Sequence, residues 1–174
     1  IITSFLRVLP DQLASPQEAI IDGLLELRKI KVSREEEIFE SIQETLDSPY
    51  PSVRSKVVEI WTRFSLKSDT KTSDTIAVLF EMLSDDDKDV RYQTQESLSK
   101  ILHTVPKVAL PELKNAIGDD DWRVTYHSIV LLTEFAKKYP DPSVALVPEV
   151  IEAFNSGERL KERAADCIGM LGLA

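Results

Sequence analysis

The sequence has almost no cysteine: Cys167 stands alone, so no internal disulfide can form, and a reducing, intracellular setting is expected, cytoplasmic or nuclear. Glycine is also scarce, at 5 of 174 residues, which argues against a sheet protein with its many tight turns. Only two histidines occur, His103 and His127, and neither belongs to a His-Glu-x-x-His or Cys-x-x-Cys pattern, so no metal site is expected. There is no glycine-rich phosphate loop and no serine-histidine-acid order, so neither a cofactor nor catalysis is expected. Apolar runs fall well short of the ~20 residues that span a bilayer, and the N-terminus lacks the charged-then-apolar layout of a secretory signal. The chain begins at Ile1, inside an apolar-periodic segment, which suggests a slice of a longer protein. Basic clusters are missing too. With a net charge of −9, the long-range field repels nucleic acid and anionic bilayers, and Lys and Arg occur mainly as singles and pairs such as Lys137-Lys138.

Apolar residues make up 43% of the chain, enough for a continuous core, and 29% are charged, a balance that suits helices. The sequence aligns to itself. Val53-Arg54, Val90-Arg91, Val124-Thr125 and Leu160-Lys161 recur at intervals of 34 to 37 residues, and one step backward reaches Pro16-Gln17. Eight residues past these anchors stand Leu24, Trp61, Leu98, Leu132 and Ile168; eleven past stand Leu27, Phe64, Ile101, Phe135 and Leu171. Four past are Ile20, Val57, Thr94, Ser128 and Ala164, mostly small or β-branched. Offsets of zero, four, eight and eleven lie on one face of a helix with 3.6 residues per turn.

A second amphipathic segment precedes each anchor, ending near Leu9, Leu46, Leu83, Ile117 and Phe154, so each period holds two helices. Ten are expected, roughly over 1–9, 15–30, 34–47, 51–66, 72–84, 88–104, 107–118, 122–139, 143–155 and 159–172. Pro106, Pro111, Pro140 and Pro148 fall at or near boundaries or first turns, where a missing N–H costs little. Between paired helices lie Ser48-Pro49-Tyr50-Pro51, Asp85-Asp86-Asp87-Lys88-Asp89, Asp119-Asp120-Asp121 and Asn155-Ser156-Gly157. Asp, Ser and Asn there stop one helix and cap the next.

With two helices per period and the turn pattern Leu-x-Asp-x-Asp-x-x-Val-Arg, best matched from Leu83 to Arg91, the sequence resembles the HEAT repeat family. The resemblance implies an all-α superhelix of about five hairpins: one array over 1–174 with repeats at 1–30, 34–66, 72–104, 107–139 and 143–174. It also implies a ladder between neighbouring repeats, built from the turn aspartate and the arginine after the anchor. Thr125 and Lys161 replace that arginine, which places the ladder in question toward the C-terminus.

Single residues with chemical potential have plainer readings. The triple-aspartate turns lack the glycine and bidentate glutamate of a calcium loop, so capping explains them better. Cys167, seven past its anchor, reads as a core thiol. Trp122 reads either as HEAT packing or as an exposed anchor for a partner.

In HEAT stacks the second helix of each pair lines the concave side, so its outward residues form the expected binding surface. Tyr92 and Tyr126 share the column two past the anchor, Glu59, Glu96 and Asp166 the column six past, and Val130 with Ile129 would add exposed apolar surface. Such a face suits a partner protein segment carrying basic and apolar residues. A protein-interaction scaffold is therefore the first expectation. An enzyme or enzyme accessory, such as the HEAT-like lyases that attach bilin chromophores, and a nucleic-acid module are the alternatives.

Overall fold

A computed structural model describes residues 43, 45–66 and 72–172. Among the described residues there are eight α-helices and no strand. They are α1 (Pro51–Ser65), α2 (Thr72–Glu81), α3 (Lys88–Thr104), α4 (Pro106–Ile117), α5 (Trp122–Ala136), α6 (Pro140–Val144), α7 (Val147–Ser156) and α8 (Glu158–Met170). The helices expected over 1–9, 15–30 and most of 34–47 lie outside these residues.

The chain divides into two compact units, Ile1–Trp61 and Thr62–Ala174. In the first, a 3-10 turn at Thr45–Asp47 leads through Ser48 into α1, whose Val53, Val57, Val58, Ile60 and Trp61 are buried. Arg54 Nη1 donates to the Ser48 carbonyl at 2.6 Å, tying the helix to the turn before it.

The second unit contains three helical hairpins, α2/α3, α4/α5 and α7/α8. First helices pack against first helices, α2 on α4 and α4 on α7, and second against second, α3 on α5 and α5 on α8. The anchors and the residues four, eight and eleven beyond them form the seam. Val90, Thr94, Leu98 and Ile101 of α3 and Val124, Ser128, Leu132 and Phe135 of α5 are all buried. Burying an aliphatic or aromatic side chain of this size contributes about 1.5–3 kcal/mol, which makes this stripe the main cohesive element of the hairpins. Thr94 returns its hydroxyl to the Val90 carbonyl at 2.8 Å, so it enters the core without an unmet donor. In α8 the stripe is only half closed: Leu160 and Ala164 are buried, Ile168 and Leu171 half-buried, and no further hairpin follows among the described residues.

Prolines explain where the helices depart from the expected ones. The helix expected over 143–155 is two, α6 and α7, because Pro148 has no N–H for the Val144 carbonyl and its ring would collide with it. α5 ends at Ala136 and not at Tyr139: Pro140 holds Tyr139 away from helical geometry, at φ −131° and ψ 68°. The last turn of the helix expected over 72–84 tightens into a 3-10 turn, Met82–Ser84. Pro111 is not at a boundary but inside α4, on its exposed face.

The turns between paired helices share one design. Asp85 Oδ1 accepts the Asp87 N–H at 2.8 Å, and Asp119 Oδ1 accepts the Asp121 N–H at 2.7 Å. The third aspartate of each trio then caps the following helix, Asp87 accepting from Asp89 and Val90, Asp121 from Arg123. The side chain after each anchor donates six residues back: Arg54 to the Ser48 carbonyl, Arg91 to that of Asp85, and Thr125 Oγ1 to that of Asp119 at 3.0 Å. Threonine thus keeps the local clamp without the charge. At Lys161 the ammonium pairs with Glu158 instead.

Candidate protein-interaction surface

The outward faces of α3, α5 and α8 carry most of the residues expected to bind a partner. Tyr92, in the second turn of α3, is 64% exposed, and Glu96 one turn later is also exposed. Tyr126, its counterpart on α5, is half-buried and engaged on several sides. Its hydroxyl accepts from Arg163 Nε at 3.0 Å, the Arg163 guanidinium lies 5.7 Å from its ring centre, and Trp122 and His127 meet it edge-on.

The difference between the two tyrosines has a local cause. Arg163 stands three residues past its anchor, long enough to cross from α8 to Tyr126. The equivalent residue facing Tyr92 from α5 is His127, which is shorter and turns to Gln95, its Nδ1 2.6 Å from the Gln95 Oε1. Because a carbonyl oxygen can only accept, Nδ1 carries the proton there. Burial, with Arg91 nearby, holds the His127 imidazole below its ordinary pKa. Ser99 to Glu134 at 3.5 Å completes the polar seam between α3 and α5.

Other expected members take different places. Ile129 is fully buried, so it adds no apolar surface; it is turned from the outward face by the 100° step between neighbouring helical residues, and packs in the core. Val130 is half-buried. Glu59 belongs to the first unit, where it pairs with Lys56 at 3.4 Å. Trp122, the first residue of α5, is 44% exposed and has the Arg159 guanidinium 4.7 Å above its ring. Glu162 and Asp166 are exposed on α8, where Asp166 pairs with Arg163 at 3.5 Å.

Sequence reasoning missed two features. Arg123, the residue before its anchor, carries the ladder that the arginine after the anchor was expected to carry. It holds Asp121 at 2.7 Å and reaches Asp86 of the preceding repeat at 3.0 Å. The hydrogen bond from Arg123 lowers the Asp121 carboxyl against the upward pull of its desolvation, and Asp121 and Asp86 raise Arg123 in return. The second is the pairing of Trp122 and Tyr126 with Arg159 and Arg163. Both arginines lie 37 residues beyond their rings, one more than the 36 that separate the anchors Val124 and Leu160, a spacing that could have revealed them.

Cys167 is buried in α8, and burial pushes its thiol pKa up in spite of its contact with Thr133, so its nucleophilicity is low. His103 lies against the rings of Phe135 and Tyr139, with its Nδ1 buried and without a hydrogen-bond partner among the described residues. Among the described residues no three His, Cys, Asp or Glu side chains converge as a metal site would need, and no helix is long and apolar enough to cross a membrane.

The family described as HEAT repeats matches residues 39–133. No curated protein sequence matches the chain. Among solved structures, an engineered protein aligns at 12% identity over 98% of this chain and 96% of its own, with a TM-score of 0.47. A designed armadillo repeat protein in complex with the peptide (KR)4 aligns at 12% identity over 98% of this chain and 91% of its own, with a TM-score of 0.43. Computationally designed armadillo repeat proteins for modular peptide recognition align at 13% over 98% and 99%, with a TM-score of 0.40. The family match spans more than half of the 174 residues, including the hairpins that carry Tyr92 and Tyr126, and the chain belongs to the HEAT repeat family.

Proposed function

We propose that the chain is a non-catalytic protein-interaction scaffold whose second-helix face in the 62–174 unit captures a partner segment carrying basic and apolar residues. Tyr92 carries this reading: a large ring, 64% exposed, on a rigid helix whose opposite side is locked in the core. Tyrosine loses little conformational entropy on contact, so an exposed one on a preorganised helix is suited to a binding hot spot. Glu96 beside it and Glu162 and Asp166 on α8 supply negative potential, and Val130 supplies the apolar complement. Tyr126 is the lesser contributor, because its hydroxyl and one ring face already serve Arg163.

The test is the affinity of an identified partner for the Tyr92→Ala chain. Binding should weaken by at least fivefold, on the order of 1–2 kcal/mol, with unchanged thermal stability. Unaltered affinity would remove Tyr92 from the surface.

A further inference from the structure

We infer that the cleft between the α4/α5 and α7/α8 hairpins is an arginine subsite, in which a guanidinium of a partner segment displaces Arg159 from the face of Trp122. The inference rests on the interaction reading above and adds a chemical identity to one of its contacts.

The cleft has a volume of about 660 Å³ and is formed by the turn after α4, the first turn of α5, the face of α7 and the start of α8. Five carboxylates line it: Asp119, Asp120, Glu149, Glu152 and Glu158. Arg159 is the one cation among the lining residues. Lys114 reaches Glu149 Oε1 at 3.0 Å from outside and Lys161 pairs with Glu158, whereas Asp120 and Glu152 have no ion partner among the described residues. The other Glu149 carboxylate oxygen, Oε2, is buried and has no hydrogen-bond partner among the described residues. A single internal guanidinium leaves this wall electrostatically short of positive charge.

Arg159 shows what the cleft accepts. Its guanidinium stacks 4.7 Å from the centre of the Trp122 ring, and indole is the strongest of the aromatic cation acceptors. Even so, Trp122 remains 44% exposed, and Arg159 is itself an exposed residue. Arg159 can therefore swing into water at small cost and leave the ring to an incoming side chain. An incoming arginine brings more than Arg159 does, because it arrives from another chain with its own neighbours. Arginine is favoured over lysine: the guanidinium is planar, sheds water more readily, stacks on indole and presents several donors to the carboxylates, where an ammonium is a compact, strongly hydrated charge. An anionic ligand would meet the carboxylates unfavourably.

The experiment titrates the full chain with a tetra-arginine and a tetra-lysine peptide at low ionic strength, followed by calorimetry, for the wild type, Arg159→Ala and Trp122→Ala. Circular dichroism confirms that each variant keeps its fold. The wild type should prefer tetra-arginine. Arg159→Ala, which frees the ring and removes a positive charge, should bind tetra-arginine about three- to tenfold more tightly, and Trp122→Ala should erase the preference for arginine. Weaker or unchanged binding by Arg159→Ala overturns the inference, as does an arginine preference that survives Trp122→Ala. Absence of binding to both the wild type and Arg159→Ala overturns it as well. Partner capture by Tyr92→Ala tests the second-helix surface alone and this titration tests the cleft alone, so each reading fails by its own measurement.

Discussion

At the scale of single residues, the turns hold the hairpins in place through short-range hydrogen bonds. Asp87 and Asp121 each occupy an N-cap and accept backbone N–H groups that the helix itself leaves free. Replacing either by alanine should cost about 1 kcal/mol, read from urea or thermal denaturation. Asp121→Ala should be the more costly, because it also removes the main partner of Arg123. Acid should act in the same direction. The Asp121 carboxyl is held below its ordinary pKa chiefly by its hydrogen bond with Arg123, so its stabilisation is present above the unfolded carboxylate pKa and is lost as pH falls through the folded one.

His127 supplies a second pH dependence at milder acidity. Burial holds its pKa below the ordinary 6.5, with Arg91 adding to the effect, while the Gln95 Oε1 accepts a hydrogen bond from Nδ1 and the Tyr126 ring lies against the imidazole. A base whose folded pKa is depressed binds more protons when unfolded, so stability rises with pH through the interval between the two values. The chain should therefore be at full strength above about pH 6.5, lose stability as pH falls below that, and level off once the folded imidazole is also charged. An NMR titration of His127, assigned by comparison with His127→Gln, checks this. A midpoint at or above 6.5 would contradict it.

At the scale of elements, the hairpins were largely legible in the sequence because the signal was one of period. α3 runs over the residues expected of it, and the buried stripe of α3 and α5 is the stripe the anchors predict. Periodicity locates a buried face but not the lateral edges of a helix, where one residue of difference decides whether a side chain meets a neighbour or water. That is why Ile129 was expected outside and is buried, and why Tyr126 is half-covered while Tyr92 is open. Helix ends were read less well where proline acted on the residue before or four before it, as at Tyr139 and Val144. The ladder was legible in kind but not in position, since the arginine that carries it, Arg123, stands on the other side of its anchor. Cutting into the seam should be costly. Leu98→Ala and Leu132→Ala each open a cavity beneath a fully buried side chain and should destabilise by about 2–5 kcal/mol in denaturant titrations. A cost below 1 kcal/mol at both would mean that the seam is not the cohesive element.

At the scale of the whole molecule, the 62–174 unit is a stack in which each hairpin presents a second helix to the same layer. Such an arrangement offers a long, rigid surface in place of an enclosed pocket, which suits the capture of an extended partner segment. The chain's net charge of −9 steers basic partners toward it and repels acidic ones, an effect that weakens as salt rises. The most direct test of this account is hydrogen–deuterium exchange of the chain with and without a bound partner. Protection is predicted on the second helices, α3, α5 and α8, together with the cleft turn around Asp119 to Trp122. Protection confined to the first helices, α2, α4 and α7, would contradict it.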